Sequence, residues 1–187
     1  MPLSPAAARE RFHTRAYEFA GYRRQDGLWD IEAHMTDTKT YSFHNDYRGQ
    51  IQAGEPIHDM WIRLTIDEEL VVRDIEAATD GSPYAVCPAI TPNFKRMIGA
   101  RVGAGWRRAI AKHLGGVEGC THLVEMLGAM ATVAFQTLYP VLARKAAQNP
   151  QPGKPREGRP VLLDSCHAYR SDGPIAKKLW PEFYTGE

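Results

Sequence analysis

The stretch Asp59-Met60-Trp61-Ile62-Arg63-Leu64-Thr65-Ile66 sets the strictest limit on what this chain can fold into. Met60, Ile62, Leu64 and Ile66 alternate with Asp59, Trp61, Arg63 and Thr65. Successive side chains of a strand point to opposite faces, so this period of two predicts a strand over 57–66 with one dry and one wet face. Such a strand needs neighbours on its edges and an apolar layer against its dry face. Asp67-Glu68-Glu69 turns the chain, and 70–78 is expected to return as the hairpin partner. Trp29, Ile31, Ala33 and Met35 alternate with Asp30, Glu32 and His34 in the same way, predicting a second half-buried strand over 28–35. Ahead of it, 12–24 carries Tyr17, Phe19 and Tyr22, bulky residues that favour strands. Asp26-Gly27 joins the two as a hairpin turn signal.

The second half changes period. Thr91 followed by Pro92 starts a short helix that ends at Gly99. Trp106, Ala109, Ile110 and Leu114 mark another, closed by Gly115-Gly116. From Thr121 onward Leu123, Leu127, Met130, Ala134 and Leu138 recur on one helical face. Pro140 is expected to kink or end that helix. Strands first and helices second predict an α+β fold, an antiparallel sheet with helices packed on one face. The 187 residues suit one domain. Within it, 1–10 reads as a flexible arm, 37–55 as a polar loop and 79–83 as a break in the sheet. The stretch 148–160 reads as a linker to a C-terminal flap, with 161–164 a short added strand.

Net charge is +1, without the basic stripe that nucleic-acid binding needs, so no nucleic-acid partner is expected. The longest apolar run reads as too short for a bilayer, and the N-terminus lacks an apolar signal core. A cytoplasmic protein without a membrane partner is the expectation. Three scattered cysteines, Cys87, Cys120 and Cys166, fit reduced thiols better than a disulfide framework.

Residues that could carry chemistry cluster in two places. Val117 to Leu123 puts Cys120 and His122 at a helix start, where amide N–H groups favour a thiolate. Glu55, His58 and Asp59 precede or open the clearest strand. With His122 they offer a general acid and base near neutral pH. Lys39 or Arg170 could hold an anionic group. Tyr41, Tyr47, Trp61 and Trp106 could wall an apolar pocket, and His167 could close over it from the C-terminal segment. A nucleophilic triad using Cys120 or Cys166 with His122, His58 or His167 ranks below acid–base chemistry.

Two resemblances add to this reading. The segments 29–32, 36–39, 54–60, 119–123 and 165–167 together resemble a bacterial family catalogued as a domain of unknown function. That likeness spans nearly the whole chain and implies boundaries rather than an activity. The core from Gly54 to Cys120 is similar to the NifU/SufU-like iron–sulfur scaffold family. The likeness puts Asp59, Cys87 and Cys120 at that family's ligand positions, while Ile57 stands where its first cysteine belongs and Gly119 where one branch has histidine. It therefore implies a zinc or iron site of Asp59, Cys87 and Cys120, completed by His58 or His122. The resulting expectation is a small enzyme of lyase or hydrolase type, acting by His and carboxylate acid–base chemistry on a small molecule, with aromatic compounds as candidates and a bound metal as an option. The alternative is a zinc- or iron–sulfur-binding scaffold or sulfur-transfer partner. A homodimer is the candidate assembly.

Overall fold

Six strands open the chain: His13–Arg23 (β1), Trp29–Lys39 (β2), Phe43–Asn45 (β3), Gly49–Ile51 (β4), Pro56–Ile66 (β5) and Val72–Gly81 (β6). The computed structural model describes residues 3–148 and 158–187. Four of the strands form one antiparallel sheet in the order β1-β2-β5-β6, and β3 pairs with β4 as a separate hairpin. The register sets Met35 opposite Met60, Ala33 opposite Ile62 and Ile31 opposite Leu64. The two apolar rows therefore coincide on one face, as the shared period requires.

A 3₁₀ segment, Cys87–Met97, follows the sheet, then helices Trp106–Leu114 (α1) and Thr121–Gln148 (α2). The helix expected from Thr91 is this 3₁₀ segment, which starts earlier, at Cys87. α2 continues through Pro140, although the carbonyl of Gln136 loses its helical donor there. Leu123, Leu127, Met130, Ala134 and Leu138 of α2 are buried with Ile31, Met35, Met60, Ile62 and Leu64 in a single core. Trp106 ties the two helices together by donating its indole N–H to the Leu127 carbonyl at 2.9 Å. The antiparallel sheet with helices on one face is thus as predicted. By length and composition alone Thr121–Lys145 is apolar enough to cross a membrane, contrary to the sequence reading; here its apolar stripe belongs to the core.

Two strand ends differ from expectation. β2 runs on to Lys39 and takes in Asp37–Lys39, the start of the expected loop. The rest of that loop is largely the β3–β4 hairpin. β6 continues through the expected break to Gly81, because β5 offers backbone partners as far as Asp59.

The helical layer comes so close to β1 that only glycine fits at position 21. A Cβ there would lie 2.1 Å from Thr137 Oγ1 and 2.9 Å from its Cβ. Gly21→Val is expected to destabilise the protein by about 1–3 kcal/mol, the usual cost of overpacking. Denaturant unfolding should read that loss, and Thr137→Ala should recover part of it.

The chain divides into two compact units, Met1–Ala146 and Ala147–Glu187. In the second, the expected strand at 161–164 is a turn. Asp164 takes a positive φ of 57° and its carboxylate accepts the Ser171 N–H at 2.7 Å. A helix Pro174–Leu179 (α3) follows, and Tyr169 packs on Trp180 at 5.7 Å. The expected 148–160 linker falls largely outside the described residues. Residues 3–10 carry no helix or strand and are exposed.

Candidate functional site

The site begins with a residue whose place in the alternation marks it out. β2 buries Trp29, Ile31, Ala33 and Met35, and the next position in that row is Asp37, only 2 % exposed. A carboxylate in an apolar row must be paired or it would not stay charged. Four hydrogen bonds meet this one. Arg15 on β1 donates Nε to Oδ1 at 2.9 Å and Nη2 to Oδ2 at 2.8 Å. His13 Nε2 lies 2.6 Å from Oδ1, and His58 Nδ1 lies 3.0 Å from Oδ2. An ionised carboxylate only accepts, so both imidazole nitrogens carry the hydrogen.

The sheet register explains the meeting. Arg15 and His58 are the direct cross-strand partners of Asp37 on its two sides. The fourth element is α2. His122 sits in its first turn, its ring centroid 4.0 Å from that of His58 and its Nε2 3.9 Å from Asp37 Oδ2. One turn on, Glu125 accepts from Arg15 Nη1 at 3.0 Å and from the Tyr17 hydroxyl at 2.9 Å.

Burial pushes the Asp37 carboxyl upward, but the bonds from Arg15 and His13, the guanidinium charge and His58 hold it well below the usual carboxylate range. Burial lowers the His58 imidazole, although Asp37 opposes the shift. A neutral His58 that gives Nδ1–H to Asp37 keeps a lone pair on Nε2, the arrangement of an oriented general base. Burial raises Tyr17, helped by Glu125, so its phenol remains a donor.

Cys120 caps the start of α2, as the sequence implied. Its Sγ lies 3.8 Å from His122 Nδ1. Burial pushes the thiol up; the His122 ring and the backbone N–H groups of Leu123 and His122 outweigh it and bring it below its ordinary value. The geometry depends on Gly119, where a Cβ would sit 2.3 Å from the Leu114 carbonyl oxygen. A histidine there, as in one scaffold branch, would collide with the end of α1.

The structure divides the residues that the sequence put in one pocket. His58 and His122 meet, with Cys120 behind His122. Asp59 does not join them, because neighbouring residues of β5 face opposite sides of the sheet. It holds His34 Nε2 at 2.7 Å on the outer face, where the His34 ring stacks on Trp61 at 3.6 Å. Of the expected metal ligands, His122 and the alternative His58 belong to a convergent donor set, whereas Asp59, Cys87 and Cys120 do not. Among the described residues that set is Asp37, His58 and His122, whose donor atoms all lie within 4.8 Å of one another. Glu55 is committed to the β3–β4 hairpin, accepting from Arg48 Nη2 at 2.6 Å and from the Gln52 N–H at 2.9 Å. Tyr41 packs between Phe12 and Phe43, with the Lys39 ammonium over its ring at 5.9 Å. Trp106 is buried in the core. His167 and Arg170 belong to the second unit, where Arg170 Nε donates to Asp172 at 2.7 Å.

The sequence reading missed Asp37, His13, Arg15, Tyr17 and Glu125. For Asp37 a signal existed, the carboxylate that continues the apolar parity of β2. For the others none did, since only strand pairing and helix docking bring them in.

No curated protein and no solved structure matches the chain. The model of one family, described as protein of unknown function (DUF2889), matches residues 13–136, a span from His13 to beyond Glu125 that holds every residue of the Asp37 cluster. The chain therefore belongs to the DUF2889 family.

Proposed function

We propose that the protein is a small enzyme of lyase or hydrolase type whose proton transfers run through Asp37, His58 and His122. One observation carries the reading: a buried, fully hydrogen-bonded carboxylate fixes one imidazole at 3.0 Å while a second imidazole packs tilted against it. Structural ion pairs do not need two adjacent half-buried histidines, whereas acid–base chemistry uses such a pair to take a proton and return one. In the ion-free protein His58 Nε2 is the acceptor. His122, beside Cys120, is the donor. His13 and Arg15 are positioning residues that act through Asp37. Exposed aromatic side chains on the sheet, among them Tyr17, whose hydroxyl donates to Glu125, make aromatic small molecules the first substrate class to examine.

The alternative of a zinc- or iron–sulfur scaffold drew on Asp59, Cys87 and Cys120. It has less support, because Asp59 and the His58–His122 pair occupy opposite faces of the sheet. The enzyme reading is tested by screening aromatic ethers, esters and hydroxylated side-chain compounds for protein-dependent product. Any activity found should disappear in His122→Gln and persist in Asp59→Asn. Activity indifferent to His122 would move the centre elsewhere.

A further inference from the structure

We propose that Asp37, His58 and His122 bind one divalent transition-metal ion, zinc being the type, and that the same centre is thereby a metal site. The proposal rests on the enzyme reading above for the place of the site and names its cofactor; with an ion bound, His58 and His122 serve as ligands rather than as the acceptor and donor of the ion-free protein.

The donor set is the first argument. Two imidazoles and one carboxylate suit zinc, and three protein ligands leave a fourth position for water or substrate. Spacing is the second. With bonds of about 2.0–2.2 Å, donors around a tetrahedral ion stand roughly 3.3 Å apart. Asp37 Oδ2 is 3.0 Å from His58 Nδ1 and 3.9 Å from His122 Nε2, distances on either side of that value. The three donor atoms already lie within 4.8 Å of one another, so side-chain rotations would bring them onto one ion. His58 would move its ring hydrogen from Nδ1 to Nε2, a tautomer change without loss of charge.

The surroundings supply the third argument. Ligating groups are ordinarily held by outer hydrogen bonds that fix their orientation. Arg15 grips Asp37 through both oxygens, and His13 takes the remaining position on Oδ1. Oδ2, bonded to Arg15, keeps its other lone-pair direction for His58 or an ion. His122 turns Nε2 toward Asp37 and Nδ1 toward the Cys120 sulfur at 3.8 Å. Cys120 is on the far side of the ring from the donor cluster, so it orients a ligand and does not ligate. The three ligands come from β2, β5 and α2, regular elements that hold their separation. An ion there would polarise a bound water, the chemistry that a hydrolase or hydrating lyase requires.

The test uses the full chain without a polyhistidine tag. Metal content is measured as purified; the protein is then stripped with chelator and titrated with zinc, iron(II) and cobalt(II). One equivalent per chain is expected. Cobalt should give the visible bands of a four-coordinate nitrogen and oxygen site, without a sulfur charge-transfer band. His58→Ala and His122→Ala should weaken binding by more than the about 10–100-fold that loss of an outer partner costs, and Cys120→Ser by about that amount. Asp59→Asn and Cys87→Ser should bind as the parent does. Circular dichroism of the stripped variants checks that they fold, and a metal-induced rise in Tm, present in the parent and absent in His58→Gln, gives a second readout. The proposal is overturned if no ion binds at one equivalent, if the histidine variants bind unchanged, or if a strong sulfur band shows Cys120 as a ligand. Loss of turnover in His122→Gln without any metal binding would leave the enzyme reading standing and remove this one. Metal binding with turnover indifferent to His122 would do the reverse.

Discussion

Replacing His58 by glutamine is expected to lower turnover on any substrate found by about 10²–10⁴-fold, the range that positioned acid–base groups contribute. Glutamine can still donate a hydrogen bond toward Asp37, so the loss reports the missing imidazole lone pair rather than a collapsed cluster. The effect should fall mainly on kcat, since the proton is transferred in the transition state. His34→Gln makes the paired control. His34 also holds a carboxylate at 2.7 Å, but on the outer face with Asp59. Its substitution should leave turnover within a few-fold of the parent. Equal losses in the two variants would mean that histidines stabilise this sheet generally and that the Asp37 side has no special chemistry.

Replacing Asp37 by alanine should destabilise the protein by about 3–5 kcal/mol. Asp37 is 2 % exposed, and its removal leaves Arg15, His13 and His58 without their common acceptor. Arg15 would keep only Glu125. Urea unfolding of parent and variant measures the loss, and a cost below that of an exposed ion pair would show the cluster to be dispensable to folding. The pH dependence of the metal-free parent carries the same signature. Asp37 has a folded value below its unfolded one, so its stabilisation is fully present above the unfolded carboxylate value of about 3.9 and is lost as pH falls further. His58 is also lowered, so the unfolded chain binds its proton first, and stability declines as pH drops through about 6.5. Both groups thus give stability that rises with pH. In Asp37→Asn the loss below about pH 4 should shrink, and in His58→Gln the shallower limb between pH 7 and 5 should flatten. An acid limb unchanged in Asp37→Asn would assign acid unfolding to other carboxylates.

The fold was legible in the sequence because its signals are local. Alternation at Trp29–Met35 and Met60–Ile66 is a property of neighbours two apart, and the Leu123–Leu138 stripe is a property of neighbours three and four apart. Those patterns specify element type and buried face before any long-range contact exists. They also determined that Cys120 and His122 open a helix together. The division of His58 from Asp59 followed from the same rule, since adjacent residues of a regular strand cannot share a face.

The site was decided by contacts of another kind. Asp37 meets His58 because β2 and β5 pair in one register and no other; a shift of one residue would turn the carboxylate to the outer face. His13 and Arg15 reach it from β1, and His122 reaches it, with Glu125 on Arg15, only once the α2 stripe has docked on the apolar rows. Sequence alone therefore determined the sheet, the helices and the faces each would bury. Only the tertiary structure decided that three distant segments would converge on Asp37, because burying its charge required partners that no local pattern could supply.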